Sequence, residues 1–447
     1  MQTLIRNASI VNEGSVRTGS VVLEGKRIAA VLYGKQAYEK AKAYCRPKCH
    51  IIEAEGQYLI PGILDDQVHF REPGQPEKGT MEQESRAALL GGVTGVMDMP
   101  NNAPPVTTVR ALKEKYKRAA ESMYVHYAFY MGATNTNREE VLSPVLPGCG
   151  LKIFMGSSTG DMLVDDPATL NLYFKEFKGV IATHCEEESV IRSNLESAQS
   201  RYGENIPWQE HSSIRSRQAC IVSTRKALDL AIQHNSRLHI LHVSTLEEVE
   251  MIRTARRNHP GISCEAALPH LWFTDKDYKE LGSLVKCNPS LKTEKDQKAL
   301  RNALEDRTIQ VIGSDHAPHT LEEKQNKYLK APSGIPLVQH TCQMLMELVQ
   351  KEQLSLTVMA EACCHEPARL FGIKERGFIR EGYFADLVLI DPYKKHTVTK
   401  EGLEAACGWS PLEGVRFSSS LTHVFVNGTL AVKNNRIIQK PSVSALM

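Results

Sequence analysis

The sequence predicts an α/β fold, a (β/α)8 TIM-like barrel with a small β-sandwich domain formed by both chain ends. Two observations predict it. From about residue 60 to 375, apolar runs alternate with amphipathic helical stretches, which is typical of repeated βα units. Before and after that region, short β runs are separated by glycine and asparagine turns. We therefore predict a composite β domain of residues 1–58 and 378–447 and a barrel of residues 59–377.

The two terminal segments are predicted to pair with each other. The first contains LIRNASIVNEG, SVVLEGKRIAAVLYG and HIIEAEGQYLIPG, and the last contains FADLVLID and THVFVNGTLAVKNNRII. Short strands alone cannot bury a core, and the two ends of a domain often lie close together. A single β domain built from both ends meets both conditions.

The barrel region offers nine candidate strands for eight positions. SLVKCN is the extra candidate, and the other eight are YLIPGILDDQVHF, GVTGVMDMPN, MYVHYAFYMGAT, GLKIFMG, GVIATHC, RLHILHVS, GISCEAAL and IQVIGSDHAPH. Most of them end in a polar residue. The carboxyl ends of all barrel strands meet on one face, so we expect six of these side chains to converge there: His69, Asn101, Lys152, His184, His242 and Asp315. Any one of them taken alone is more often an ordinary loop cap.

Composition and charge indicate a small-molecule substrate. The chain has 447 residues, and 54 Lys and Arg against 52 Asp and Glu leave a formal net charge of +2. This balance indicates neither nucleic acid nor a membrane surface as a partner. The 11 cysteines contain no CxxC pair, which favours free thiols in a reducing compartment. Without a signal-peptide pattern or an apolar run of membrane length, we predict a cytoplasmic protein.

His184, His242 and Asp315 indicate a metal site. Both histidines end near-continuous apolar runs, where a buried neutral imidazole needs a partner that a cation supplies. A lone histidine there is usually a hydrogen-bonded core residue, but two with a carboxylate at a third strand end favour the metal. The carboxylate can also accept a proton from a bound water as a general base.

Lys152 in GLKIFMG fits a metal site only after modification. An ammonium would repel the cation and is costly to bury. If the amine adds carbon dioxide it becomes a carbamate, an anionic oxygen ligand able to bridge two cations. The alternative is a salt-bridged lysine at a strand end.

Together these residues resemble the amidohydrolase superfamily, and within it the dihydroorotases of the longer bacterial type. The similarity covers nearly the whole chain in the family's order. HFREPG and DHAPHT are its most specific motifs, and the others are GGVTGVMDMPNN, LKIFMGSSTG, THCEEE, LHVST, KCNPSLK, HEPARLFGI and FADLVLID. The resemblance implies a (β/α)8 barrel with a composite β domain, a homodimer, and the reversible interconversion of N-carbamoyl-L-aspartate and L-dihydroorotate in pyrimidine synthesis.

The resemblance also assigns site residues. It implies that the metal ligands are His69, a carboxylated Lys152, His184, His242 and Asp315, with Asp315 also moving the proton in catalysis. The substrate carboxylate is expected to contact Arg71, Asn101 and His319, and Asn288 is expected to lie near the pyrimidine ring. Imidazole and carboxylate donors favour Zn²⁺.

Gln67 departs from the family, which usually has the first histidine of a His-x-His pair at this position. An amide oxygen is a poorer zinc donor than an imidazole, so we expect one firmly bound cation and variable occupancy of a second site near Gln67 and His69. Gln67 is also consistent with an ordinary strand residue turned away from the metal. A smaller departure is His270 in ALPHLWFT, a single histidine where many relatives have two.

Arg71 separates the competing functions. A planar guanidinium binds a carboxylate through two parallel hydrogen bonds, and dihydroorotate carries a carboxylate that hydantoins and dihydrouracil lack. An arginine after a strand is otherwise commonly a surface salt bridge, and Asn101 alone is more often a turn residue. Two alternatives remain: an allantoinase or hydantoinase type of cyclic amide hydrolase, and a catalytically silent homologue that partners a carbamoyltransferase.

Overall fold

The structure, a computed structural model, describes residues 2–34, 36–144, 148–156 and 162–447. Its strands, numbered in chain order, are β1 Gln2–Asn12, β2 Ser15–Glu24, β3 Arg27–Tyr33, β4 His50–Glu53, β5 Tyr58–Pro61, β6 Ile63–Val68, β7 Val93–Asp98, β8 His126–Gly132, β9 Gly150–Phe154, β10 Val180–His184, β11 Arg237–Ile240, β12 Ile262–Ala267, β13 Val311–Gly313, β14 Leu387–Asp391, β15 His396–Thr397, β16 Arg416–Phe417, β17 Ser420–Val426, β18 Thr429–Lys433 and β19 Arg436–Ile437.

Helices connect these strands. They are α1 Ala37–Lys42, α2 Met81–Leu90, α3 Val109–Ser122, α4 Arg138–Val141, α5 Pro167–Glu176, α6 Glu188–Tyr202, α7 His211–Ile214, α8 Arg217–His234, α9 Leu246–Arg256, α10 Leu268–Trp272, α11 Tyr278–Leu281, α12 Glu294–Glu305, α13 Leu321–Lys324, α14 Thr341–Gln350, α15 Leu356–Ala360 and α16 Glu366–Phe371. Within the described ranges, no helix is both long and apolar enough to cross a bilayer.

The strands β6 to β13 form an eight-stranded parallel barrel. Each pairs with the next in sequence order, and a parallel bridge between Val68 and His316 brings the last strand region back to the first. The predicted barrel is therefore confirmed, and its eight strands come from the eight predicted runs. The extra candidate SLVKCN is not a strand, because Gly282–Val285 forms a 3-10 turn.

The two chain ends form one nine-stranded sheet. Its order is β19-β18-β17-β14-β5-β1-β2-β3, with β4 paired to β1. Side chains from both ends share a hydrophobic core that includes Ile10, Val21, Leu59, Leu387 and Phe425. The predicted association of the two ends is thus confirmed.

The run YLIPGILDDQVHF divides between the two sheets. Tyr58–Pro61 pairs with β1 and β14 in the terminal sheet, whereas Ile63–Val68 is the first barrel strand. Gly62 joins them where the backbone passes close to Thr94, because a Cβ at Gly62 would lie 2.1 Å from Thr94 Oγ1. The proposed domain limits at residues 58 and 378 remain a prediction, and β5 crosses the first of them.

Candidate active site

A pocket of about 220 Å³ opens at the carboxyl ends of the barrel strands. The structure brings every predicted site residue into its wall. They are His69, Arg71, Asn101, Lys152, His184, His242, Asn288, Asp315 and His319, and Gln67 lies with them. The predicted loop MGSSTGDMLVDD lies partly outside the described residues, which omit 157–161.

Three of these residues have left-handed backbone conformations. Arg71 has φ +61°, His242 +37° and Asp315 +47°. Non-glycine residues adopt such angles at a cost of about 1–3 kcal/mol each, and they cluster at functional sites. The chain turns sharply at these positions, directly after the β6, β11 and β13 strands.

His69 is held by Asn101 and faces Asp315. Its Nδ1 lies 2.7 Å from Asn101 Oδ1, and since an amide oxygen only accepts, His69 Nδ1 donates. Burial lowers the pKa of His69, so the ring is neutral and its bare Nε2 faces Asp315 Oδ1 at 3.4 Å. Asn101, predicted to bind substrate, thus also fixes the tautomer of a predicted metal ligand.

Gln67 points toward the site rather than away from it. Its Nε2 donates to Asp315 Oδ1 over 3.0 Å. Its Oε1 is buried and has no hydrogen-bond partner within the described part of the chain. Gln67 is therefore placed to offer an amide oxygen to a cation.

Lys152 is buried without a polar partner. No hydrogen bond or ion pair joins its Nζ to any described residue, and its nearest aromatic neighbour is the Phe154 ring at 4.7 Å. Burial lowers the pKa of Lys152 to about 8, although the Asp315 carboxylate opposes the shift. A substantial neutral fraction at physiological pH is the form that can add carbon dioxide.

His184 and His242 face each other with one buried carboxylate behind them. His184 Nδ1 lies 3.0 Å from His242 Nε2, and His184 Nε2 lies 3.0 Å from Glu186 Oε2. The carboxylate only accepts, so His184 Nε2 carries the proton. Arg215 pairs with the same carboxylate. Burial lowers the pKa of both imidazoles, so both rings are neutral and His242 Nε2 donates to His184 Nδ1.

A second wall of the pocket is cationic. Arg71 Nε donates to the Pro318 carbonyl over 3.0 Å, and its NH2 nitrogen lies 3.0 Å from His319 Nε2. Burial and the Arg71 charge lower the pKa of His319, so its ring is neutral, and its Nε2 also lies 3.2 Å from the Ser333 carbonyl oxygen. Lys78 lies 3.5 Å from the other ring nitrogen and pairs with Glu323 at 2.8 Å.

Asn288 and the segment 328–334, which two lysines bind, complete the pocket wall. The Asn288 Oδ1 atom is buried and lacks a hydrogen-bond partner in the described structure. Lys286 donates to the carbonyls of Tyr328 and Ala331 over 2.8 and 2.7 Å, and Lys324 donates to those of Pro332 and Gly334 over 3.0 and 2.9 Å. These two lysines fix residues 328–334 against the pocket.

The donor set fits a divalent cation. Two neutral imidazoles bring His184 Nδ1 and His242 Nε2 together at 3.0 Å, and the Gln67 amide oxygen and the Asp315 carboxylate lie on the side of His69. Imidazole nitrogens and carboxylate oxygens are zinc ligands, and the Glu186–His184 pair is the outer carboxylate that orients such a ligand. Sequence reasoning missed Glu186, although its place two residues after His184 in THCEEE offered a signal.

Comparisons with known proteins show which family the chain matches. The family model described as "Amidohydrolase family" matches residues 58–431. A dihydroorotase of Methanosarcina acetivorans is 33% identical over 423 residues, covering 92% of this chain and 88% of that protein. A dihydroorotase of Pyrococcus abyssi is 33% identical over 387 residues, covering 87% and 86%.

Solved structures share the fold. An L-hydantoinase from Arthrobacter aurescens superposes with a TM-score of 0.92 at 25% identity and covers 99% of each chain. A dihydropyrimidinase from Brevibacillus agri has a TM-score of 0.89 at 23% identity, covering 100% of this chain and 98% of that one.

Proposed function

The chain belongs to the amidohydrolase family and is a cyclic amide hydrolase, and we propose that it is a dihydroorotase. The proposed reaction is the reversible cyclisation of N-carbamoyl-L-aspartate to L-dihydroorotate in pyrimidine synthesis. Two kinds of support lead to it: relatives named dihydroorotase that align over most of the chain, and a pocket whose cationic wall faces the metal donors.

The guanidinium of Arg71 is the observation that carries the proposal. Pro318 and His319 hold its Nε and NH2 nitrogens, and its NH1 group has no hydrogen-bond partner among the described residues. The group is therefore pre-positioned with a donor left for a ligand in the pocket. A ring that carries a carboxylate gains a charge-assisted bond there, and an uncharged ring does not.

The residues that hold the cation divide into two groups in this proposal. Lys152, carboxylated, with His184 and His242 binds one Zn²⁺ firmly, and His69 with Gln67 and Asp315 binds a second with variable occupancy. When bound, the cation lowers the pKa of water to roughly 7 and polarises the amide carbonyl. Lys152 supports this arrangement because its amine has no polar partner that carboxylation would displace.

Asp315 moves the proton in the proposed reaction. Its Oδ1 lies among His69 Nε2 and Gln67 Nε2, at the point where the attacking water must lose a proton. In ring opening the carboxylate takes that proton and then delivers it to the ring nitrogen as the amide bond breaks. Arg71 and His319 hold the substrate carboxylate, so the ring presents its amide carbon to the water.

Arg71→Ala tests the substrate assignment. We expect kcat/KM for L-dihydroorotate to fall by ~10–100-fold, because a charge-assisted hydrogen bond contributes about 1.5–3 kcal/mol. Turnover of uncharged 5,6-dihydrouracil should change little. Arg110→Ala is the matched control, since the Arg110 side chain is 90% exposed on α3. An equal loss on both substrates would discard the assignment of Arg71 to the carboxylate.

A hydantoinase-type activity on uncharged rings is the second candidate, favoured by the TM-score of 0.92 to an L-hydantoinase. Faster turnover of hydantoin than of dihydroorotate by the unaltered protein would establish it. A silent homologue would turn over neither. The homodimer and the cytoplasmic location are also proposed, and sedimentation of the purified chain tests the first.

A further inference from the structure

A second group of ligand-type side chains lies in the barrel interior, outside the pocket wall. Asp66 on β6, His239 on β11 and Glu265 on β12 each offer one ligand atom, and these atoms lie within 4.8 Å of one another. All three residues are fully buried. Neither the family resemblance nor the proposed reaction assigns a role to any of them.

The polar atoms of this inner cluster are not satisfied by one another. His239 Nε2 lies 3.0 Å from Asp66 Oδ2, yet the geometry is not that of a hydrogen bond. Both Asp66 oxygens, His239 Nε2 and Glu265 Oε2 lack a hydrogen-bond partner in the described structure. No lysine or arginine of the described residues forms an ion pair with either carboxylate. Burial of a charged carboxylate without a hydrogen-bond or ion-pair partner lowers the stability of the folded protein.

The tautomer of His239 makes its contact with Asp66 unfavourable. Ser263 Oγ donates its only hydrogen to the Leu238 carbonyl over 3.2 Å. It must therefore accept from His239 Nδ1, which lies 2.9 Å away. In the neutral ring this leaves a lone pair on Nε2, directed at a carboxylate oxygen. A lone pair and a carboxylate oxygen 3.0 Å apart repel each other unless a proton or a metal ion lies between them.

The backbone leaves room for such a species. A Cβ at Gly313 on β13 would lie 2.8 Å from Glu265 Cδ and 3.2 Å from Asp66 Oδ1, so glycine keeps this side of the cluster open. The register of β6 against β7 shifts between Asp65 and Val68. That irregularity lets Asp66 face the barrel interior while its neighbour Gln67 faces the pocket.

We propose that Asp66, His239 and Glu265 bind a divalent first-row transition ion, of the Zn²⁺ or Mn²⁺ type, at a site separate from the pocket. One imidazole nitrogen and two carboxylate oxygens form a ligand set for such ions. Ser263 is the outer partner that fixes the imidazole tautomer. Glu265 Oε1 also accepts from the His242 backbone N–H over 3.2 Å, so the inner ion anchors the turn that carries a pocket histidine.

Metal counting on four proteins tests the proposal. Each is loaded with Zn²⁺ or Mn²⁺, freed of excess metal, and analysed for metal per chain. The proteins are the unaltered chain, Asp66→Asn, a pocket variant with His184→Asn and His242→Asn, and that pocket variant with Asp66→Asn added. Two further variants, Glu265→Gln and its matched control Glu248→Gln, are analysed in the same way, because Glu248 is a buried glutamate with hydrogen-bond partners of its own.

We expect the pocket variant to keep an ion that the added Asp66→Asn removes. Glu265→Gln should lose the same ion, whereas Glu248→Gln should keep it. A pocket variant without metal, or an Asp66→Asn protein with as many ions as the unaltered chain, would overturn the inner site. Neither result depends on turnover of dihydroorotate. Metal counting can therefore refute the inner site without refuting the proposed function.

Thermal stability gives a second readout. In metal-free protein, Asp66→Asn removes an unpartnered buried charge and should raise Tm; in loaded protein it removes a ligand and should lower Tm. The same direction in both states contradicts the proposal. If the variants do not fold, anomalous diffraction from the loaded, unaltered protein decides. A peak within roughly 2.0–2.3 Å of the three ligand atoms supports the site, and none there refutes it.

Discussion

Under the proposed function, Gln67 limits how tightly the second cation position beside His69 can bind. Its amide N–H donates to Asp315 Oδ1, so the side chain supports the carboxylate with one end and offers only a neutral oxygen with the other. A histidine at this position would offer a stronger nitrogen donor. In the proposed metal site, the second cation therefore has one weaker ligand.

Gln67→His should raise the metal content of the protein. The imidazole adds a strong donor beside His69 Nε2, so occupancy of the weaker position should increase toward one further Zn²⁺ per chain, measured by elemental analysis after gel filtration. Gln233→His is the matched control, because it adds a histidine at an exposed site on α8. An equal increase in both variants would mean adventitious binding and would contradict the assignment.

Glu186→Gln should loosen the firmly held cation. The carboxylate accepts from His184 Nε2 over 3.0 Å and increases the basicity of the ring. Loss of such an outer partner typically costs 10–100-fold in metal affinity, measurable by competition with a chromophoric chelator. Glu187→Gln is the control, since Glu187 caps α6 through Ser189 and does not contact His184. Equal affinities of the two variants would remove Glu186 from the metal site.

At the scale of elements, the strand ends were predictable and their connections were not. Apolar runs that end in a polar residue predicted six of the nine site residues, and the family resemblance supplied Arg71, Asn288 and His319; all nine line one pocket. The division of YLIPGILDDQVHF between two sheets was not predictable, because pairing partners distant in sequence decide it. The shift in the register of β6 against β7, beside Asp66, was not predictable for the same reason.

The segment 328–334 depends on two lysines that sequence patterns did not identify. Lys286 and Lys324 are both buried, and burial lowers the pKa of each to about 7. Each donates to backbone carbonyls of the segment instead of pairing with a carboxylate. We therefore expect the pocket wall to respond to pH near neutrality.

Lys324→Met should flatten the pH dependence of stability. The unfolded lysine has a pKa of about 10.4, so between pH 7 and 8.5 the unfolded chain binds more protons than the folded one. Stability then rises with pH, by up to ~1.4 kcal/mol per pH unit for this group. Urea unfolding at pH 7.0 and 8.5 measures the slope, which should be smaller in Lys324→Met. Lys327→Met, at an exposed lysine, should keep the original slope.

At the scale of the whole molecule, the last residues of the chain return to the barrel. Ala445 bridges to Tyr127 on β8, and Leu446 N donates to the Tyr127 carbonyl over 2.9 Å. Leu446 packs in a cluster with Leu64, Met97 and Tyr130. The short β runs at both ends of the chain predicted that the two ends meet in one domain, but this contact of the final residues had no periodic signal.

Removal of residues 442–447 should destabilise the barrel without altering the pocket. Burial of Leu446 contributes about 1.5–3 kcal/mol and the backbone bonds to Tyr127 about 1 kcal/mol each, so Tm should fall by a few degrees for a chain of this size. Turnover at 25 °C should remain, because the tail joins β8 near its start and the pocket lies at the opposite strand ends. Removing Met447 alone is the control, since that side chain is 49% exposed. An unchanged Tm after the longer deletion would show that the tail contact does not stabilise the folded chain.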